Sequence, residues 1–380
     1  MRIMIIAGEA SGDLHGAGVV RELRRRRPDI DIFGIGGDKM QREGMRLVYN
    51  VRELAVMGFW EVIQHLPLLR SVERTLGALL TLRRPDVLVL IDYPGFNLRF
   101  ADLARRHNIK IVYYISPQVW AWNPGRVRKM KGVIDKMLVV FPFEKEIYEK
   151  KGIDAEFVGH PLLEELYEPQ SRDAFCKRYS LRREKLTVGL FPGSRKQEIE
   201  RIFPVMLGAA RLLYAELDTQ TVVGVAPVLD ADYIKSFLRD DFPVQLIFNA
   251  TYDAMANSDV ALVTSGTATL ETACFRTPMI VVYKTSWLTY LLGRMFVRIN
   301  TIGLVNIVAG RQVAPELIQY RLKPRRLASA AAELLVDKAR SREISDNLAD
   351  VRQRLGTPGA SARVAETILS MAERSQGATE

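Results

Sequence analysis

Two short turns carry groups suited to holding anions, Gly8-Glu9-Ala10-Ser11-Gly12-Asp13 and Pro192-Gly193-Ser194-Arg195. Each follows an apolar, strand-like run (residues 3–7 and 186–191) and precedes a helical pattern. Each can therefore aim backbone N–H groups and a helix N-terminus at a phosphate. Two such turns in one chain suit an enzyme that joins two phosphorylated molecules. A third stretch, Ser265-Gly266-Thr267-Ala268-Thr269-Leu270-Glu271, follows the apolar run 260–263 and opens another helix. Its small residues and hydroxyls suit a diphosphate, and Glu271 can accept hydrogen bonds from vicinal ribose hydroxyls. Read only as structure, Ser265 or Thr267 is an ordinary helix cap. Arg195 offers bidentate contacts to a phosphate that gains charge as it leaves, or else a surface ion pair with Glu198 or Glu200.

Asp92 ends another apolar run and starts Asp92-Tyr93-Pro94-Gly95-Phe96-Asn97. Ligands of parallel sheets bind at the carboxyl ends of strands, so Asp92 is placed to take a proton from an acceptor hydroxyl; Asp is equally a common turn former. Glu9, Asp13 and His15 cluster at the first turn, where acids fit sugar hydroxyls or a proton transfer better than a phosphate. His15 reads as well as a helix-start residue. Ser116-Pro117-Gln118-Val119-Trp120-Ala121-Trp122-Asn123 brings two of the four Trp to a further strand end, as a ligand wall or as packing. Residues 56–69 are unusually apolar around Pro67. Phe59, Trp60, Val62, Ile63, Leu66 and Leu69 there form either a buried helix or a surface that takes acyl chains or dips into a membrane interface.

The elements that must position these groups alternate from the first residue. Strand-like runs at 2–7, 31–35, 87–92, 110–115 and 137–140 are separated by helical patterns at 14–27, 68–83 and 98–107. Such alternation predicts a doubly wound parallel sheet, and the nearly continuous apolar strands fit burial on both faces. The pattern stops near Gly159-His160-Pro161-Leu162 and resumes after a polar stretch, 166–183. Strands then follow at 187–191, 221–225, 244–247, 260–263 and 279–283, with helices at 198–217, 230–238, 252–257 and 268–275. A charged helical tail at 325–374 is long enough to return to the first half. The fold class is α/β, with two Rossmann-like halves.

Composition narrows the classes. With 380 residues, 48% of them hydrophobic, the chain can build two cores. Cys176 and Cys274 are the only cysteines and lie far apart, outside any C-x-x-C spacing, which argues against a disulfide framework or a structural zinc site and suits a reducing, cytoplasmic setting. Glu9 and Asp13 interrupt the first apolar run too early for a signal peptide, and no uncharged run reaches the ~20 residues of a membrane span. A net charge of +10, clustered in part at 24–27, 126–131 and 323–326, fits nucleic acid, anionic lipid or phosphorylated substrates. The first cluster also suits the solvated C-terminal end of a helix. Neither a G-x-x-x-x-G-K-[ST] loop nor a spaced G-x-G-x-x-G is present, so ATPase and dehydrogenase readings lose ground.

Taken together, these residues resemble the lipid-A-disaccharide synthases, bacterial glycosyltransferases of the two-Rossmann-domain (GT-B) type. The resemblance is carried by the motif at 8–13, Ile91 with the motif at 92–97, residues 116–122, Phe141-Pro142-Phe143-Glu144, Gly159-His160-Pro161-Leu162, the motifs at 192–195 and 265–271, and Asn306 with Pro315-Glu316-Leu317. It implies two domains facing a central cleft: an acceptor-binding, membrane-associating domain at 1–165, a UDP-sugar domain at 166–350, and a helical tail at 351–380 packing back on the first. The implied reaction condenses UDP-2,3-diacylglucosamine with 2,3-diacylglucosamine 1-phosphate (lipid X) to a β-1,6 disaccharide and UDP. It proceeds with inversion and needs neither metal nor cofactor.

By the same resemblance, Asp92 is the base and Arg195 stabilises the departing UDP. Gly193, Ser194, Ser265, Gly266, Thr267, Glu271 and Asn306 hold the nucleotide; Gly8, Glu9, Ser11, Gly12, Asp13 and His15 line the acceptor side. Peripheral attachment to the cytoplasmic face of the inner membrane and a homodimer are further expectations, and nucleic acid is not an expected partner. An epimerase of UDP-sugars or a transferase acting on peptidoglycan precursors would share the fold and the 265–271 site but not the first-half motifs. A non-enzymatic basic module that binds membranes or nucleic acid would leave the anion turns and Asp92 without purpose.

Overall fold

The computed structural model describes residues 1–54, 66–118, 126–239, 242–286 and 301–377. The chain divides into two units, Met1–Glu164 with Leu355–Glu380, and Glu165–Arg354. Each is built on a parallel sheet whose central strands are short and mostly apolar. Val87–Ile91 and Val260–Thr264, for example, are buried at every position, as strands covered on both faces must be.

The first unit orders β1 (Arg2–Ala7), β2 (Asp31–Gly36), β3 (Arg46–Asn50), β4 (Val87–Ile91), β5 (Lys110–Tyr114), β6 (Lys136–Val139) and β7 (Ala155–Phe157) as β3-β2-β1-β4-β5-β6-β7. Strand order reverses between β1 and β4, which pair in parallel with Ala7 opposite Ile91. The second unit orders β8 (Thr187–Phe191), β9 (Gln220–Val225), β10 (Val244–Phe248), β11 (Val260–Thr264), β12 (Met279–Tyr283) and β13 (Glu316–Ile318) as β10-β9-β8-β11-β12-β13. Its reversal falls between β8 and β11, with Phe191 opposite Val263. Crevices at such reversals are where open α/β sheets bind ligands.

The last helix, Ala360–Gly377, belongs to the first unit. It packs on the helix Ala10–Arg26 and against β4 and β5, burying Val364, Ala365, Ile368 and Ala372 along one stripe. The Glu164 carboxylate fixes its start by accepting from the Ser361 amide at 2.8 Å, and Gly18 leaves the space that Ser361 fills. Among the described residues no helix is long and apolar enough to cross a membrane.

Three strands escape the sequence pattern, β3, β7 and β13. All three lie at sheet edges; β7 and β13 have only three residues, and β3 is exposed or half-buried throughout, so it lacks the apolar run of the central strands. Helices also begin earlier than apolar spacing indicates, at Ala10 rather than 14 and at Pro94 rather than 98. Small residues and an N1 proline open a helix without contributing to its apolar stripe.

Candidate active site

In the first unit, Gly8 and Asp92 leave neighbouring strands side by side at the β1/β4 reversal. Asp92 and Tyr93 are not strand residues: both adopt left-handed backbone, with φ 47° and 48°, a region costly for residues with a Cβ. Several contacts hold them there. The Asp92 amide donates to the Tyr114 carbonyl at 3.0 Å, while its own carbonyl accepts from Asn97 Nδ2 at 2.7 Å and from the Tyr113 hydroxyl at 2.6 Å. The Tyr93 ring lies where a side chain on Gly8 would stand, its Cδ1 2.2 Å from an ideal Cβ, so only glycine fits there. Ile115, just past β5, is left-handed too (φ 61°), a third strained residue at the same sheet edge.

Asp92 is half-buried. Burial first, and the nearby Glu9 carboxylate second, push it up to about 6, against the Tyr93 amide and His15, which favour its charged form. Such a carboxylate is ionised at neutral pH yet more basic than an ordinary Asp, the combination suited to a general base. His160 is buried, accepts from the Leu162 amide on Nδ1 at 3.1 Å, and is held neutral, its pKa lowered to about 3 by burial and by His15.

The 8–13 motif is only partly a loop. Glu9 is the N-cap of the helix Ala10–Arg26, and Glu9 and Ser11 are exposed at its start. Two expected acceptor contacts are instead scaffold. Gly12 is buried against Ala7 and Ile91. Asp13 is buried and its carboxylate accepts from the amides of Gly37 (2.8 Å), Lys39 (3.2 Å) and Met40 (3.0 Å), capping the short helix Asp38–Arg42. Its oxygens are occupied by backbone amides inside the fold.

In the second unit the two remaining anion turns leave adjacent strands β8 and β11. Gly193 has φ 91° and faces Thr264, 3.7 Å from an ideal Cβ. Arg195 is the N-cap of the helix Lys196–Leu217; its side chain is 77% exposed and pairs with Glu198 at 3.2 Å. Gly266, φ 151°, caps the helix Thr267–Cys274, whose first amides have no carbonyl within the helix to receive them. Thr267 and Ser194 are exposed. The Ser265 hydroxyl donates to the Ile302 carbonyl at 2.8 Å, so Ser265 ties the turn to the following loop. Glu271 is half-buried, and burial, with Glu165 second, pushes it up to about 7.

Asn306, expected on the nucleotide, is a scaffold residue. It is buried, donates to the Ala314 carbonyl (2.9 Å) and to Glu316 Oε1 (2.7 Å), and accepts from the amides of Val313 (2.8 Å) and Ala314 (2.9 Å). That exhausts its amide. Glu316 in turn accepts from the amides of Ile302 (3.1 Å) and Gly303 (2.9 Å).

Other residues also converge. Asn97, the last residue of the 92–97 motif, and Tyr113 fix Asp92, and Tyr283, at the end of β12, lies within electrostatic reach of Glu198 and Arg195. Tyr113 and Tyr283 were not singled out from the sequence, and their only signal there is a position near a strand end. Phe59, Trp60, Val62, Ile63, Trp120 and Trp122 lie outside the described residues, as does the side chain of Leu66. Leu69, expected at acyl chains, packs against the core of the first unit instead.

A family model described as lipid-A-disaccharide synthetase matches residues 3–368. The lipid-A-disaccharide synthase of Syntrophus aciditrophicus is 45% identical over 376 residues, 98% of each chain. Among solved structures, the UDP-GlcNAc 2-epimerase of Neisseria meningitidis bound to UDP-GlcNAc has a TM-score of 0.66 at 14% identity, covering 97% of this chain and 100% of its own. The calicheamicin glycosyltransferase has 0.63 at 16%, covering 98% of each; at such identities the likeness is one of fold.

Proposed function

The chain belongs to the lipid-A-disaccharide synthetase family, and on that premise we propose how it joins a UDP-sugar donor to a lipid acceptor. It is a UDP-sugar-dependent glycosyltransferase that forms the lipid A disaccharide, on two Rossmann-like parallel-sheet units. The proposed donor is UDP-2,3-diacylglucosamine and the proposed acceptor 2,3-diacylglucosamine 1-phosphate. The acceptor binds at the β1/β4 edge of the first unit, beside Gly8, Glu9, Ser11 and His15. Asp92 takes the proton from its 6-hydroxyl as that oxygen attacks the donor's anomeric carbon from the face opposite UDP, inverting the configuration.

The nucleotide binds at the β8/β11 edge of the second unit. Its diphosphate meets the opening amides of the helices Lys196–Leu217 and Thr267–Cys274, with Gly193, Ser194, Gly266 and Thr267 allowing close approach. Arg195 turns from Glu198 to the phosphate that gains charge as the bond breaks. Glu271 receives the ribose hydroxyls, whose hydrogen bonds favour its charged form against the burial that disfavours it. The apolar stretch that holds Phe59, Trp60, Val62, Ile63 and Leu66 seats acyl chains at the cytoplasmic face of the inner membrane, and the protein works there as a peripheral homodimer, a state that light scattering of the purified protein tests.

The observation that carries this reading is the Asp92 carboxylate, held at a strand reversal with its basicity raised to about 6. The test is UDP release from the two diacylated substrates by wild type and Asp92→Asn. No UDP from wild type sinks the substrate assignment; near-normal release from Asp92→Asn removes the base.

A further inference from the structure

The helices Leu66–Arg83 and Pro94–Arg106 pack side by side in the first unit. They approach closely at Gly77, where a Cβ would stand 3.2 Å from Leu103. Beside that contact runs a groove of about 470 Å³ lined by Arg70, Glu73, Arg74, Gly77, Arg99 and Leu103. All three arginines are exposed. Glu73 pairs with Arg99 at 3.5 Å, and among the described residues no carboxylate pairs with Arg70 or Arg74. These two stand four apart on one helix face, where like charges repel. Three guanidinium groups against one carboxylate leave the groove positive, and the planar guanidinium fork is the side chain best matched to phosphate.

The groove's position adds a second constraint. The helix carrying Arg99 begins directly after Asp92 and Tyr93, and helical side chains lean toward the N-terminus, so Arg99 leans back toward that turn. Its charge is felt there: burial and Glu9 push the Tyr93 phenol up, and Arg99 opposes them. We propose that the Arg70–Arg74–Arg99 groove binds the phosphate monoester of the acceptor sugar while the acceptor hydroxyl reaches Asp92. In a hexose 1-phosphate the phosphate-bearing carbon and the carbon bearing the hydroxymethyl group flank the same ring oxygen, so one sugar connects the two positions. The inference rests on Asp92 marking the acceptor site. A bilayer phospholipid could present the same phosphate chemistry, and the experiment separates the two.

Wild type, Arg70→Ala and Arg74→Ala are assayed in non-ionic detergent micelles, which lack phospholipid, with 2,3-diacylglucosamine 1-phosphate and with its dephosphorylated form. Loss of a charge-assisted contact predicts about a tenfold or greater rise in KM for the phosphorylated acceptor. UDP affinity and melting temperature stay unchanged, and the variants equal wild type on the dephosphorylated acceptor. Equal losses on both acceptors, no loss on either, or a wild type with the same KM for both overturn the proposal. It also fails if the variants keep their KM in micelles but lose binding to phosphatidylglycerol vesicles, since the groove would then hold bilayer headgroups. Absence of UDP release by wild type from every substrate pair would instead remove the acceptor-site reading beneath it.

Discussion

Asn97 donates its Nδ2 to the carbonyl oxygen of Asp92 at 2.7 Å, from a side chain that is wholly buried. The same nitrogen lies 3.3 Å from the Ile91 carbonyl, so one amide joins the end of β4 to the left-handed residue beyond it. The backbone at Asp92 is unfavourable for an aspartate on its own, and this contact keeps the carboxylate at one place on the sheet edge.

Tyr113→Phe removes one of the two donors to the Asp92 carbonyl and leaves the ring packing intact. It should lower kcat several-fold with little change in acceptor KM and about 1 kcal/mol in stability. Asn97→Ala should cost more in both, since it strips a buried carbonyl of its closest amide donor and opens a cavity. Steady-state kinetics with thermal denaturation checks both; a Tyr113→Phe enzyme that loses only KM would remove the positioning role.

Activity should follow the ionisation of Asp92. A base that must be unprotonated gives a kcat/KM that rises with pH through about 6. Glu9→Gln removes a charge that opposes ionisation, so the midpoint should fall; His15→Gln removes one that favours it, so the midpoint should rise. A pH–rate series on the three proteins reads both signs, and a midpoint indifferent to Glu9 would detach it from Asp92.

The same shift predicts that losing the carboxylate stabilises the fold. The folded protein holds the Asp92 proton up to about pH 6, whereas an ordinary Asp loses it near 3.8. Ionisation therefore weakens the folded state as pH rises between those values. Asp92→Asn, which also tolerates left-handed backbone, should be more stable than wild type by about 1–3 kcal/mol at pH 8 and no more stable at pH 3. Denaturant titrations at both pH values test this, and equal stability at pH 8 contradicts it.

Arg195 is exposed and its ion pair is of the surface kind, worth little to the fold. Arg195→Ala should leave the melting temperature unchanged, weaken UDP about tenfold, and lower kcat further. Glu198→Gln releases the guanidinium and should tighten UDP. Calorimetry of UDP binding decides whether the two substitutions move affinity in opposite directions.

Asn306→Ala should act through the scaffold. Four hydrogen bonds from a buried amide are lost, predicting a destabilisation of about 2–4 kcal/mol, with UDP affinity following it. A variant that keeps its melting temperature and loses UDP would return Asn306 to the ligand.

What the amino-acid order determined by itself was the alternation of apolar runs with helical stretches, and with it two parallel-sheet units. The turns at residues 8–13, 92–97, 192–195 and 265–271 were legible for the same reason: a fully apolar strand followed by small or charged residues is a local pattern. Tertiary structure decided which of those turns stand together, because parallel neighbours are set by crossovers of distant segments. Only the strand orders place Gly8 beside Asp92 and Gly193 beside Thr264. It also decided which polar residues remain available to a ligand. Asp13 by its place in the first turn and Asn306 by resemblance were expected at ligands, yet Asp13 accepts amides of a distant segment and Asn306 those of the loop after its own helix, and a hydrogen bond made inside the fold is invisible to spacing. The raised basicity of Asp92 belongs to the same class, since burial and a neighbouring carboxylate act through space.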